Sequence, residues 1–190
     1  TQYLGVNTEC WVVQFMPDGN LDTAFGNNGT VLVNFCTSTD RLTALHSQPD
    51  GKVIAGGYES SNNALYDQGI VFRLTATGVL DDTWGLSGLH YVNMAPNDVQ
   101  VRDIDLQADG KVLVAGIFYA GGGSQGGFVR RLLPNGQLDP TFGGNGQVLI
   151  DEPGVDYINS VIARDDGTVL VGGSLGADHV AYRSLTGGSR

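Results

Sequence analysis

The sequence predicts an all-β fold built from repeated antiparallel sheets, and three observations support this prediction. A segment of the form Leu-Asp-x-x-aromatic-Gly-x-x-Gly occurs three times, at 21–29, 80–88 and 138–146. A tight-turn motif centred on Asp-Gly recurs in fixed phase with it, at 49–52, 108–111 and 165–168. The regular segments alternate or run apolar for a few residues, as strands do. A repeat of this length must stack on its neighbours to bury its apolar face.

Each complete repeat is predicted to contain four short strands. In the first they lie at 42–47, 52–58, 69–74 and 89–94, and in the second at 101–107, 111–118, 127–132 and 147–150. The last repeat has three, at 157–163, 168–174 and 179–185. Upstream, 2–6, 11–15 and 30–35 resemble strands two to four of an earlier repeat. Four-stranded units in series predict propeller blades, about three and a half of them.

The predicted organisation is one repeat domain over residues 1–190. It divides into a partial blade at 1–35, blades at 42–94 and 101–150, a partial blade at 157–185 and a tail at 186–190. Three blades are too few to close a ring, so the open strand edges need a cover. That cover is either a partner chain, whose strands three and four complete the last repeat, or the remainder of a longer propeller.

The repeated phrases carry a family resemblance. Pro-Asp-Gly-Lys-Val-Ile-Ala-Gly-Gly, Asp-Gly-Lys-Val-Leu-Val-Ala-Gly and Gly-x-Leu-Asp-x-Thr-Phe-Gly-x-x-Gly resemble the delta-60 repeat of bacterial secreted and surface proteins. The resemblance covers nearly the whole chain and implies a β-propeller with blades similar to the NHL type. It implies no activity. Trp84 in place of Phe and Ala24 in place of Thr are its departures from the pattern.

The charge balance excludes several classes of partner. The chain has 10 Lys and Arg against 20 Asp and Glu, a net charge of -10, and such a surface repels nucleic acid and anionic membranes. No apolar run approaches the ~18 residues of a spanning helix. Thr1 does not begin a signal peptide, and we expect a mature form or an excised piece.

The two cysteines predict a compartment. If 11–15 pairs with 30–35 so that opposing residue numbers sum to about 46, Cys10 meets Cys36 and a disulfide can form. A disulfide favours an extracellular or cell-surface location, whereas two unpaired thiols in a cytosolic protein are the alternative. Asn28 lies in a glycosylation sequon, which matters only in a glycosylating host.

The residues that recur once per repeat are interpreted as structural. One Asp per repeat is expected to bond turn amides, and the aromatic three residues later to fill the space between blades. An aligned Arg in each of three repeats is expected to pair with a carboxylate inside its blade. A calcium loop is the weaker alternative, because the ligand pattern is absent. The sets are Asp22, Asp81 and Asp139; Phe25, Trp84 and Phe142; and Arg73, Arg131 and Arg183 with Gln14.

Candidate catalytic residues are few. His46, Asp103 and Asp105 fall on first strands, which line the axis of a propeller, and together they could bind a cation or act as acid and base. A solvated channel wall is the favoured interpretation, because these positions do not recur as a ligand set. We therefore expect no enzyme activity, no metal and no cofactor; a propeller lyase or hydrolase with a channel site remains an alternative.

Variable loops are the favoured binding region. The loops 59–68, 119–126 and 175–178 differ strongly and emerge opposite the tight Asp-Gly turns, and such loops on a constant scaffold usually carry binding. Drift under weak constraint is the alternative. The candidate ligand-binding residues are Tyr58, Asn62, Asn63, Tyr66, Asp67, Asn97, Asp98 and Tyr119. They suit a glycan or a peptide, so the first hypothesis is a non-enzymatic extracytoplasmic module for recognition or adhesion. The second is a subunit that assembles through its open ends.

Overall fold

The computed structural model describes residues 9–34, 39–60, 66–120, 124–150, 155–175 and 179–185. The predicted all-β class is confirmed: these residues form thirteen strands and no helix. No helix long and apolar enough to cross a membrane occurs in the described ranges. The strand predicted at 2–6 lies outside them.

The strands form four antiparallel sheets in sequence order. The half-blade contains β1 (Cys10–Val13) and β2 (Thr30–Val33). The first blade contains β3 (Thr39–Ser47), β4 (Val53–Ser60), β5 (Gln68–Leu74) and β6 (Leu89–Val92). The second blade contains β7 (Asp98–Leu106), β8 (Val112–Ala120), β9 (Ser124–Leu132) and β10 (Gln147–Ile150). The third blade contains β11 (Val155–Ala163), β12 (Val169–Leu175) and β13 (His179–Leu185).

Each blade begins with a bulged first strand, and the bulge explains a glycine of the repeat motif. The pairing of β3 with β4 skips one residue after Leu42, which is opposite Gly57. A Cβ atom on Gly57 would overlap the carbonyl oxygen of Arg41, so the bulge admits only glycine there. The same pairing and the same overlap recur at Gly116 and Gly173.

The core lies between neighbouring blades. Phe25, Trp84 and Phe142 are at most 1% exposed, and each contributes to a different apolar cluster that joins two sheets. The turn after β9 closes over Trp84, since a Cβ on Gly136 would come within 2.6 Å of the indole ring. The aromatic of each repeat therefore fills the space against the next blade, as the sequence predicts. The first strands β3, β7 and β11 are neighbours along the inner side of the array.

The predicted register of the half-blade is wrong. Cys10 is opposite Val33 and Val13 opposite Thr30, so opposing residue numbers sum to 43 and not to 46. The error comes from the turn at 21–29, whose length cannot be judged from strand pattern alone. Cys36 lies outside the described residues, and the register that would pair it with Cys10 is not the one observed for β1 and β2. The disulfide consequently has no structural support.

A second correction concerns the last strand. Arg73 is opposite Ile54 and Arg131 opposite Leu113, and the matching position of β12 is Leu170. Leu170 is opposite Ser184, and Arg183 is opposite Val171. β13 is therefore paired one residue out of the register of β5 and β9, and Arg183 does not align with the other two arginines.

Candidate functional site

The loop-bearing rim of the array brings together part of the predicted binding set. The amide of Asp67 donates to Oδ1 of Asp98 (2.8 Å), and the amide of Val99 donates to the carbonyl of Asp67 (3.0 Å). Asp98 is opposite Tyr119 across β7 and β8, and Asn97 directly precedes it. These residues join the first blade to the second at the rim. Asp98 is thereby occupied by a structural contact.

Tyr58 lies apart from that group, in an open cleft formed by the half-blade, the first blade and one residue of the second blade. This rim cleft has a volume of about 400 Å³. It is lined by Glu9, Cys10, Trp11, Asp40, Arg41, Leu42, Thr43, Tyr58 and Arg102. Tyr66 is exposed on the same rim, whereas Asn62 and Asn63 lie outside the described residues. Asn28 is exposed in the turn of the half-blade, and its glycosylation stays a prediction.

The rim cleft combines hydrogen-bond donors with acceptors. Arg41 is exposed beside Tyr58, to which it is opposite across β3 and β4. The Nη2 of Arg102 donates to Oε1 of Gln100 (2.8 Å), while its buried Nε has no hydrogen-bond partner among the described residues. Asp40 is 4% exposed and opposite Glu59. Burial, and then the charge of Asp40, raise the pKa of Glu59 above its usual value.

The proposed channel residues act on the backbone. Asp103 accepts hydrogen bonds from the amides of Ile104 (2.9 Å) and, across the blade boundary, Val161 (2.8 Å). Asp105 likewise bonds the amides of Leu106 (2.8 Å) and Ala163 (2.7 Å). These carboxylates satisfy amides on the inner edges of β7 and β11. His46 is the third member of the group, and its Nδ1 lies 3.5 Å from Oδ1 of Asp105.

The repeated aspartates are structural, as their recurrence predicts. Asp81 accepts hydrogen bonds from Nε of Arg73 (2.9 Å) and from the hydroxyl of Thr83 (2.6 Å). Its Oδ2 also forms ion pairs with Nη2 of Arg73 (2.8 Å) and Nζ of Lys52 (3.1 Å). The Thr83 hydroxyl and these cations hold the pKa of Asp81 well below its usual range, despite burial. Asp139 with Arg131 and Asp22 with Gln14 repeat the arrangement.

His90 is a titratable group between the first and second blades. Burial, and then the charge of Arg130, lower its pKa to about 4. Between pH 6.5 and 4 the unfolded chain therefore binds a proton that the folded chain excludes, and stability falls as the pH falls through this window. Valine is the natural replacement for His90, because the equivalent positions of the other sheets are occupied by Val31 and Val148. We expect the His90→Val variant to remove up to about 3 kcal/mol of acid destabilisation.

Urea unfolding of the wild type and His90→Val at pH 7 and pH 4.5 measures this effect. The carboxylates of Asp81 and Asp139 have lowered pKa values. Their contribution to stability is therefore lost only at a pH below the usual pKa of an aspartate, which lies outside the interval from pH 7 to pH 4.5. Glu59 shifts stability in the opposite direction, but equally in both proteins. A difference between the two proteins that is the same at both pH values would contradict the prediction.

Comparisons with known proteins support the propeller architecture. A family model described as a domain of unknown function (DUF5122) beta-propeller matches residues 48–83 and 107–142. Each matched segment runs from an Asp-Gly turn to the Leu-Asp-x-x-aromatic segment of one complete blade. The chain is similar to this propeller-type repeat. A comparison with curated proteins gave no match.

Sequence reasoning missed Arg41 and Arg102. Both lie on first strands near the bulge, and their neighbours in the cleft come from separate sheets. One signal was available: two of only 10 basic residues fall at or next to the predicted first strands of adjacent repeats.

Proposed function

We propose that the chain is a non-enzymatic recognition module that binds a glycan at the rim cleft. The observation that carries the proposal is the position of Tyr58 in a cleft with Arg41 and Arg102. An aromatic face flanked by guanidinium groups and a carboxylate suits a sugar, whose ring has apolar faces and polar edges. The volume of the rim cleft falls within the usual range for small-molecule sites. The exposed guanidinium of Arg41 can donate a pair of hydrogen bonds to a sugar that carries a carboxylate.

Three further features support a binding role. The opposite rim is built from uniform tight turns, with Gly51, Gly110 and Gly167 at φ values of 80 to 82°. The aspartates of the inner strands accept hydrogen bonds from backbone amides, which gives these carboxylates a structural role. We place the module outside the cytoplasm because its repeats resemble those of secreted and surface proteins. Adhesion is the role that such a location favours.

The test is binding of the chain to an array of immobilised neutral and uronic-acid-containing glycans. We expect retention on the acidic members, and a loss of 10-fold or more, on the order of 1.4 kcal/mol or more, in the Arg41→Ala and Tyr58→Ala variants. Arg164→Ala is the matched control, since Arg164 is also exposed but lies beside the tight turn at 165–168 on the opposite rim. Binding to none of the glycans, or equal losses in all three variants, would refute the proposal; binding only to peptides would assign the cleft to a protein ligand.

A further inference from the structure

An apolar surface on β1 is exposed at positions that are buried in the complete blades. Trp11 is 62% and Phe15 is 63% exposed. Phe15 is equivalent to Leu74 and Leu132, because its bridge to Leu21 repeats the bridges Leu74–Leu80 and Leu132–Leu138. Trp11 is equivalent to Ile70 and Phe128, because its pairing with Leu32 repeats the pairs Ile70–Tyr91 and Phe128–Leu149. The equivalents of Trp11 and Phe15 are at most 3% exposed: Ile70, Leu74, Phe128 and Leu132.

The structure also shows what covers this position in the complete blades. Leu74 packs in one cluster with Phe25 and Val33 of the preceding half-blade. Phe128 and Leu132 pack in another cluster with Trp84 and Val92 of the first blade. Two residues thus form the cover: the aromatic residue of the Leu-Asp-x-x-aromatic segment, and an aliphatic residue of the fourth strand. A third copy of this cover, Phe142 with Ile150, belongs to the second blade.

One large apolar third-strand pair, Trp11 and Phe15, is left exposed, and the third cover is buried against a third blade whose third strand differs in sequence. Three covers and three large apolar third-strand pairs are described, and two matches are made within the chain. The third cover faces the third blade, where the residue opposite Gly173 is Ala181. Ile70 and Phe128 stand at that position in the complete blades, opposite Gly57 and Gly116. β13 is also one residue out of register, so it matches the third-strand position poorly.

We propose that a second copy of this chain covers Trp11 and Phe15. The second copy presents Phe142 and Ile150 of its second blade, and β1 takes the place beside its β12 that β13 holds in the single chain. The contact is head to tail, so two copies that meet at both ends close a ring, and copies that do not close extend a filament. A closed pair has six blades, because each chain brings two complete blades and shares two composite ones; six is within the usual range for propellers.

The test is the mass of the full chain in solution by light scattering over a concentration series. We expect the wild type to have at least twice the 20.0 kDa of one chain. Phe15→Glu buries a carboxylate without a partner in the contact, and we expect it to weaken assembly by about 100-fold or more. Trp11→Glu should act in the same way. Phe15 does not line the rim cleft, so Phe15→Glu should keep glycan binding, which separates this inference from the proposed function.

Leu32→Glu is the matched control. Leu32 is 68% exposed on the same sheet, and its equivalents Tyr91 and Leu149 are also exposed in the complete blades, at 38% and 50%. We expect this variant to assemble as the wild type does. Assembly of Phe15→Glu with wild-type affinity would overturn the proposal. A wild type that stays a single chain at every concentration would also overturn it.

Discussion

Trp84→Ala is expected to destabilise the chain by about 3–5 kcal/mol. Trp84 is the largest fully buried side chain, and it joins the first blade to the second through contacts with the turn around Gly136. Truncation to alanine opens a cavity at the blade boundary and removes the aromatic face near Arg73, whose Cζ lies 5.7 Å from the ring centroid. Urea unfolding followed by far-ultraviolet circular dichroism measures the loss.

Trp84→Phe is the matched variant, because phenylalanine stands at the same repeat position as Phe25 and Phe142. The indole Nε1 has no hydrogen-bond partner among the described residues, so its removal offsets part of the lost packing. We expect a cost below about 1.5 kcal/mol. If Trp84→Phe and Trp84→Ala unfold at the same urea concentration, the side chain does not fill the space between blades as described.

Asp81→Ala is expected to cost a comparable 3–5 kcal/mol, about as much as breaking a buried ion pair in general. Its side chain is 7% exposed and that of Arg73 is 10% exposed. Removal of the carboxylate leaves Arg73 with a desolvated guanidinium, and among the described residues only the carbonyl of Pro134 (3.2 Å) remains as its hydrogen-bond acceptor. The free energy of unfolding at pH 7, compared with that of the wild type, measures the effect.

Asp22→Ala provides the internal control for Asp81→Ala. Asp22 stands at the same repeat position, but its partner is the neutral amide of Gln14 (2.7 Å) and it is half-buried. We expect a cost of about 1 kcal/mol for this neutral contact. Equal losses in the two variants would show that the turn geometry alone, and not the buried charge pair, gives Asp81 its effect.

The sequence predicts the fold class and the centre of most strands because each motif of the repeat occurs three times. A position such as Asp81 or Trp84 is interpreted from its recurrence, and the structure places both as expected. The bulge could not be predicted in this way. It inserts one residue opposite Gly57 without changing the apolar pattern, although the glycine itself is visible in the repeated motif.

The sites were harder to predict because they depend on contacts that do not recur. The sequence predicts Tyr58 as a binding residue, but Arg41 and Arg102, which line the same cleft, come from two different blades, and only the packing of those blades brings them together. The register of β1 and β2 failed for a related reason: a strand pattern with period two does not determine the offset between two short strands. The channel position of Asp103 and Asp105 stays a prediction; the hydrogen bonds from the amides of β7 and β11 to their carboxylates could not be predicted, because they depend on contacts between two blades.

The links between inner strands are not repeated, and this has a consequence for the order of the blades. The first blade is joined to the second by the hydroxyl of Thr43, which donates to the carbonyl of Val101 (2.8 Å), whereas Asp103 and Asp105 join the second to the third. The blades therefore share the aromatic contact that packs each against the next, but they differ in the hydrogen bonds that join their inner strands. A permuted gene that exchanges the first and second repeats would encode intact sheets in a sequence of junctions that no longer match.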